Sequence, residues 1–490
     1  MNNNGIDVRA EKQAAGGCAC PGRAKPGFAP VTEASLPVLR RYYSDCSYRL
    51  CEYSSLVKFM LRDSMPSEWA EVAGCLVVRS QYHGQYFFEF PVPGPSGDVD
   101  AALEQMERWC AEGGEPLSLF VVPAEETSRL VTRYPRFHLT CIRAWSDYLY
   151  RAEDLRSFAG RKYAGRRNHV NKFRKRCPGA VFRPLGKDDA ELIEGFWHDY
   201  EAQFSKDSEG AINELRSAKD TLRLAGEEDY CSGGIVLDGK LLSLSMAERC
   251  GDTLHIQIEK ALYSYEGVYP ATVQAFVRHF AGDSVRWVNR EDDCNDKGLR
   301  TSKLQYLPAE LLKKYCFHIE NELYDLDSIP TLHTQRLTLS ALTESDKAAY
   351  NALCLDDDRN RFWGYDYRED WKGEPLSEYF LNAAEQDFAH KAAVNFAVRL
   401  GGVFIGEAVF YRFDGRGNAE LGCRIAQEYA RHGYGTEAFA AAAEWGLYEL
   451  NLSRIVARCY KENTASQRML SSCMRRCGED EAFYYYQKEV

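Results

Sequence analysis

Apolar and polar positions along this 490-residue chain fall into three blocks. Each alternates between the two-residue period of strands and the longer period of amphipathic helices. From about Leu36 to Tyr150, a helix leads into "CLVVRSQYHGQYFFEFPVPG", which predicts two strands around the turn Tyr82-His83-Gly84-Gln85. A helix over residues 99–111, the strand "LSLFVV", a short helix and the aromatic strand "WSDYLYR" then complete an α/β unit. The second block, from Ala152 to about Glu320, opens on a basic helix. It continues as the hairpin "GGIVLDGKLLSLSMAERCGDTLHIQIEK", turning at Asp238-Gly239. A helix over residues 271–280, the strand "VRWVN" and a polar loop follow, and "NELYDLDSIPTLHT" reads as a linker.

The third block, 331–490, begins with a strand ending at Ala341. Thr343 is placed to cap a helix, with Glu344 and Asp346 at its positive end. "VNFAVRLGGVFIGEAVFYRFDGRGNAELGCRI" predicts three strands joined by glycine turns. An alanine-rich helix, the strand "SRIVARCY" and the helix "NTASQRMLSSC" come next. Blocks two and three echo one another. Laying "LHIQIEKALYSYEGVYPATVQAF" on "AELGCRIAQEYARHGYGTEAFAA" puts Gly267 over Gly433 and Thr272 near Thr436. Repeated α/β units are therefore expected.

Length favours two or three domains. The formal charge of −11 argues against a general nucleic-acid binder while allowing a local basic patch. No apolar run reaches the ~20 residues that span a bilayer. "MNNNGIDVRAEKQAAGGCACPGRAKPGFAP" has no apolar segment and reads as a disordered tail over residues 1–30, with Cys18 and Cys20 as solvated thiols rather than half a metal site. The 17 cysteines lack regular spacing. Several, including Cys75, Cys141, Cys231, Cys423 and Cys459, sit in apolar runs and read as buried reduced thiols of a cytoplasmic protein. No metal site is expected.

The candidate chemistry concentrates in "ARHGYGTEAFAAAAEWG", Ala430 to Gly446. A helix N-terminus leaves backbone N–H groups without partners and carries roughly half a positive charge. Glycines before it let a ligand approach the backbone closely, so Gly433 and Gly435 form either an anion cradle or simply a tight strand-to-helix turn. Arg431, His432 and the Thr436 hydroxyl are placed to add to a cradle.

With the preceding strands, this motif resembles the GNAT superfamily of acetyl-CoA-dependent N-acetyltransferases, in its RimJ/RimL-like branch. "LHTQRLTLSAL", "GGVFIGEAVF", "AELGCRIAQEYARHGYGTEAF" and "LSRIVARCYKENTASQRML" carry the resemblance over nearly all of 331–490. It implies that the backbone of Cys423, Arg424 and Ile425 pairs with the pantetheine arm of acetyl-CoA. It places the pyrophosphate on the amides of Arg431, His432, Gly433, Tyr434, Gly435 and Thr436. Asn463 and Ser466 would contact the cofactor, and Glu420 would act as general base, a role an ammonium acceptor requires; a surface strand residue is the alternative reading of Glu420. Ala430 stands where the family usually has Gln or Arg, and Leu470 where many members have a tyrosine acid.

"GRKYAGRRNHVNKFRKRC" holds eight Lys and Arg between Arg161 and Arg176 and no acid. It is either a solvated basic helix or a phosphate site. "VNREDDCNDKGLRTSKLQYLP" is a dense polar loop. Residues from about 36 to 320 resemble the C-terminal domain of lysyl-phosphatidylglycerol synthases, through "DYLYRAEDLRSFAGRKYAGRRNHVNKF", "IEKALYSYEGVYPATVQAFVRHF" and "VNREDDCNDKGLRTSKLQYLPAELLKKY". That resemblance implies two GNAT-like units, 31–150 and 151–325, ahead of an acetyltransferase domain at 331–490. Each unit would be a mixed, mostly antiparallel twisted sheet flanked by helices, an α/β (α+β) architecture.

A second candidate site comprises Arg161, Lys162, Arg166, Arg167, Asn289, Arg290, Glu291, Arg300 and Lys303. The leading expectation is acetyl transfer to a primary amine, on a small molecule or a protein N-terminus, with the front tandem selecting or processing the acceptor. The alternatives are aminoacyl transfer from tRNA held at the basic helix, and a non-catalytic CoA-binding sensor or scaffold.

Overall fold

The computed structural model describes residues 27–490 apart from 83–84, 114–115, 204–208, 228, 364–365 and 370. Cys18, Cys20, most of the tail and the tip of the first hairpin, His83-Gly84, lie outside the described residues.

Three sheets form, and each contains one parallel pair among otherwise antiparallel neighbours. In the first, Ser67–Val72, Cys75–Tyr82 and Gln85–Glu89 form a meander, and Gln85–Glu89 lies parallel to Ser118–Val122. Tyr315–Ile319 comes next and Phe137–Cys141 closes the edge. In the second, Val181–Pro184, Tyr230–Leu237, Lys240–Cys250 and Thr253–Ala261 precede the parallel partner Trp287–Asn289. Asp147–Arg151 and Glu310–Leu312 follow. In the third, Leu337–Ala341, Val394–Leu400, Val403–Tyr411 and Asn418–Ile425 lead to the parallel Arg454–Tyr460. Phe483–Glu489 and Arg475–Glu479 end it. The second and third sheets thus share an antiparallel run ending on a parallel partner, though the strand beyond that partner precedes the run in the chain in the second and follows it in the third, and Gly267 (φ +88°) and Gly433 (φ +82°) occupy the same left-handed position at a helix start. The internal echo in the sequence is a structural repeat.

Several expectations are corrected. "WSDYLYR" does not complete the first unit: Asp147–Arg151 pairs with Trp287–Asn289, and Tyr148 and Tyr150 are buried in the second core. In return, Tyr315–Ile319 crosses back into the first sheet. Alternation identifies a strand but not its neighbours, so this exchange carries no local signal. The "linker" is docked, since Leu323 is fully buried in the third core. Cys141 is exposed, because its strand is the edge of the first sheet. The described cysteines are all free thiols.

In the third unit, Tyr434–Tyr448 forms one long helix against the sheet. Its small residues explain the fit: Ala438, Ala442 and Ala443 are fully buried, and a Cβ at Gly446 would stand 2.6 Å from the Phe410 ring. Alanine favours the helix, and its small volume permits close approach to the strands. The helix N-terminus is thereby fixed beside the end of Asn418–Ile425.

Candidate active site

Asn418–Ile425 and Arg454–Tyr460 pair only from Asn418↔Arg454 to Glu420↔Val456. Beyond Glu420 the first strand stays with Val403–Tyr411 as far as Ile425, and the second stays with Phe483–Glu489. The strands therefore part in a wedge, and Cys423, Arg424 and Ile425 present a backbone edge released from the parallel ladder. Unpaired N–H and C=O groups on such an edge suit an amide-bearing arm lying alongside.

The glycine loop stands at the mouth of this wedge. Arg431 (φ +66°) and Gly433 (φ +82°) both adopt the left-handed conformation, and Gly433 caps the helix without any side-chain cap. The first-turn amides are thus left to an external acceptor. A Cβ on Gly433 would meet only Arg336 Nη2, at 3.4 Å. Arg336 lies over the Tyr434 ring, donates to the His432 carbonyl and pairs with Glu437 at 2.6 Å. Glu437 also accepts from the Thr334 hydroxyl and the Arg336 amide, which with Arg336 hold its carboxyl below its usual range despite burial. The acid after Thr436 is therefore internally neutralised and leaves the positive end of the helix intact. Asn463 Oδ1 caps the Thr464–Cys473 helix by accepting from the Ser466 amide, 3.1 Å.

The equivalent threshold in the second unit is covered. A Cβ at Gly267 would lie 2.4 Å from the His169 carbonyl and 3.2 Å from Phe173 Cβ, because the basic helix Ala164–Arg176 crosses it. Pro270 also removes one first-turn amide. The fold that offers a cradle in the third unit closes it in the second.

Glu420 sits where the wedge begins, buried among cations. Its Oε1 accepts from the Tyr411 hydroxyl (2.9 Å) and faces Arg458 Nε (3.2 Å); its Oε2 accepts from Arg412 (2.7 Å). Beside it is a cleft of about 340 Å³ lined in part by Trp363, Tyr411, Arg412, Glu407 and Arg424. The Trp363 ring comes within 3.2 Å of where a Cβ on Gly422 would be, so the glycine admits the indole onto the strand. Arg424 stacks on Trp363 (4.4 Å) and pairs with the buried Glu407 (2.5 Å). Leu470 is a core residue, 2% exposed.

The nine residues of the second candidate site do not form one surface. Arg167 donates to the carbonyls of Phe158 and Gly160, and Lys162 pairs with Asp154 at 3.2 Å. Arg166 bonds Gln305 and covers Tyr306, a ring that Arg290 also approaches at 4.3 Å. Arg290 pairs with Glu259, and Lys303 donates to the carbonyls of Arg290 and Asp292. Arg300 grips Asp293, which with Tyr148 and Arg143 holds that carboxyl far below its usual range. Burial, despite Lys303, pushes Glu291 up to about 8. Asn289 points inward, donating to the Arg49 carbonyl and Asp147. Arg161 has no ion pair among the described residues. Most of the basic helix is thus engaged by the protein itself.

Sequence reading missed the polar interior between the first two sheets. Lys314, 1% exposed, contacts Asp147 and Glu52 at 2.7 Å each, Asp292 at 3.5 Å and Cys51 Sγ at 3.4 Å. Its ammonium occupies the centre of the Cys51–Glu52–Asp147 group, the cluster of potential metal ligands in the described residues. Fully buried His255 lies nearby, and neither ring nitrogen has a partner among the described residues. Burial lowers it to about 4, against the raising effect of Asp147 and Asp252. The native state therefore binds this proton less readily than the unfolded chain. Stability contributed by neutral His255 is full above pH 6.5 and should fall as pH drops towards 4, by at most ~3 kcal/mol. Urea midpoints at pH 7.5 and 5 should show this loss in the wild type and a flatter profile in H255Q.

These features, a strand wedge facing an uncapped glycine helix, define an acyl-transferase fold whose family uses acetyl-CoA. Residues 336–474 match the acetyltransferase (GNAT) domain, and residues 47–318 match the phosphatidylglycerol lysyltransferase C-terminal domain. The chain belongs to the latter family, with a GNAT acetyltransferase domain following it. Two relatives, both uncharacterised N-acetyltransferases of Bacillus subtilis (strain 168), match parts of the chain. YnaD is 38% identical over 106 residues, 21% of this chain and 61% of its own length. YoaA is 28% identical over 144 residues, 29% of this chain and 80% of its own. The chain therefore spans about three fifths of YnaD. A conserved protein of unknown function from Bacteroides thetaiotaomicron VPI-5482 shares the fold. That crystal structure has a TM-score of 0.55 and 24% identity, covering 60% of this chain and 100% of that one. Among the described residues no helix is long and apolar enough to cross a membrane.

Proposed function

We propose that the domain at 331–490 transfers an acetyl group from acetyl-CoA to a primary amine. The observation that carries this is the pairing of an open, uncapped helix start at Gly433 with the wedge beyond Glu420. The amides of Arg431 through Thr436 hold the pyrophosphate, the edge at Cys423–Ile425 accompanies the pantetheine arm, and Asn463 Nδ2 and Ser466 border its far side. When bound, acetyl-CoA supplies the activated acyl group.

The protein's share is proton transfer. The amine nitrogen sheds a proton as its C–N bond to the acetyl carbon forms and the C–S bond breaks, the CoA thiolate leaving to be protonated from solvent, and the Tyr411 hydroxyl already donates to Glu420 at 2.9 Å. A proton received by the phenolic oxygen passes on to the carboxylate. Arg412 and Arg458 hold the Glu420 carboxylate in place beside the Tyr411 hydroxyl. E420Q and Y411F should each lower kcat by about 10²-fold, while acetyl-CoA still raises the Tm. Y411F is the cleaner of the two, since it leaves Arg412 and Arg458 paired. Full activity in both would remove Glu420 from the mechanism, and no Tm rise in the wild type would overturn the assignment. The engaged cations of the basic helix give no support to the tRNA alternative.

A further inference from the structure

We propose that the acceptor cleft is a two-domain site, in which Glu112 from the front tandem receives a second positive charge on the acceptor amine. The inference rests on the acetyltransferase reading above and names its substrate class.

The helix Val99–Glu112 belongs to the first sheet's unit, yet its last turn, Ala111 to Gly113, forms part of the wall of the cleft that Trp363 and Arg424 also line. Its placement there is anchored. One turn earlier Glu107, 2% exposed, is held by Arg133 (2.6 Å) and Tyr134 (2.7 Å), and reaches Arg416 of the third unit at 2.9 Å. The same turn seats against the first sheet, since a Cβ at Gly415 would be 2.6 Å from Ile319 Cγ2. Asn321 and Lys391 add hydrogen bonds across the connection, to the Lys391 and Leu326 carbonyls. A buried carboxylate with two donors and a facing guanidinium defines one geometry well, because losing the cations leaves its charge unpaired.

Charge accounting then selects the acceptor. Each of the four arginines lining the cleft has a carboxylate partner: Arg361 with Glu462, Arg368 with Asp366, Arg412 with Glu420 and Arg424 with Glu407. Glu112 is exposed at the wall and makes no ion pair among the described residues. The surplus on the wall is therefore negative. The same cleft is lined by the aromatic side chains of Trp363, Tyr367 and Tyr379. Such a passage takes an alkyl chain, and aromatic faces tolerate a cation beside them. The structure thus fits an alkyl-spaced diamine, one nitrogen at Tyr411 and the other, protonated, at Glu112.

The test compares 1,5-diaminopentane with pentylamine on the full chain, by calorimetric binding to the CoA-loaded protein and by acetylation kinetics. The wild type should prefer the diamine. E112Q should reduce that preference about two- to fivefold, as expected for an exposed ion pair, and E112K should invert it. No preference in the wild type, or one that E112Q leaves intact, overturns the proposal. The two failures are distinguishable: diamine preference in binding without acetylated product counts against the acetyltransferase reading alone, whereas acetylation indifferent to Glu112 counts against this inference alone.

Discussion

Replacing Lys314 with methionine should destabilise the front tandem by about 3–5 kcal/mol, among the largest effects expected of a single substitution here. Methionine preserves the stem but removes the ammonium that faces Asp147, Glu52 and Asp292. Burial alone would lower the Lys314 pKa, yet Asp147, Cys51 and Glu52 raise it well above the lysine range. Without it, carboxylates lying within 4.8 Å of one another must share protons or repel. Asp147 has further partners in the Cys51 amide and Asn289, so it cannot turn away to solvent. The measurement is the urea midpoint of the front-domain transition. D147N on the K314M background should recover part of the loss, since removing the second charge removes the repulsion. An unchanged midpoint in K314M would mean that the ammonium is not what holds the carboxylates together.

That network shows where sequence reading stops. Cys51, Glu52, Asp147 and Lys314 are joined across as many as 263 positions, and no local pattern marks a lysine as the counter-ion of an aspartate in another unit. The strand exchange is opaque for the same reason: "WSDYLYR" alternates as any strand does. Gly267 and Gly433, by contrast, were legible because a left-handed residue before a helix is a local demand that glycine meets cheaply. The alignment of these two glycines revealed the repeat, and the structure shows why equal motifs differ in use. Helix Ala164–Arg176 covers one threshold and leaves the other open, a difference encoded far from either glycine. On the catalytic side the wedge strand containing Glu420 was readable. Trp363 and Arg412, which give the cleft its surface, lie in segments whose role emerges only when they meet Gly422 and Glu420.

Substituting aspartate at both Gly433 and Gly435 should eliminate acetyl-CoA binding while leaving the fold largely in place. At Gly433 the left-handed backbone disfavours any side chain by roughly 1 kcal/mol, least for Asn and Asp. The surrounding space is open, with only the Arg336 guanidinium at 3.4 Å. Aspartate at this position also suits a helix N-terminus, so its carboxylate would take the first-turn amides for itself. At Gly435 a Cβ meets Ile425 and Met469 at ordinary contact distances, 3.5 and 3.8 Å, and directs the second carboxylate into the wedge. Two fixed anions at the proposed pyrophosphate site replace attraction with repulsion, and the dissociation constant should rise by at least about 100-fold. In the wild type, acetyl-CoA at one hundred times its dissociation constant should add about 2.7 kcal/mol to stability. The double variant should show no Tm rise at the same concentration, with a circular dichroism spectrum like the wild type's. A Tm rise that survives both substitutions would place the coenzyme elsewhere in the chain, and the glycine threshold would then be only a turn between strand and helix.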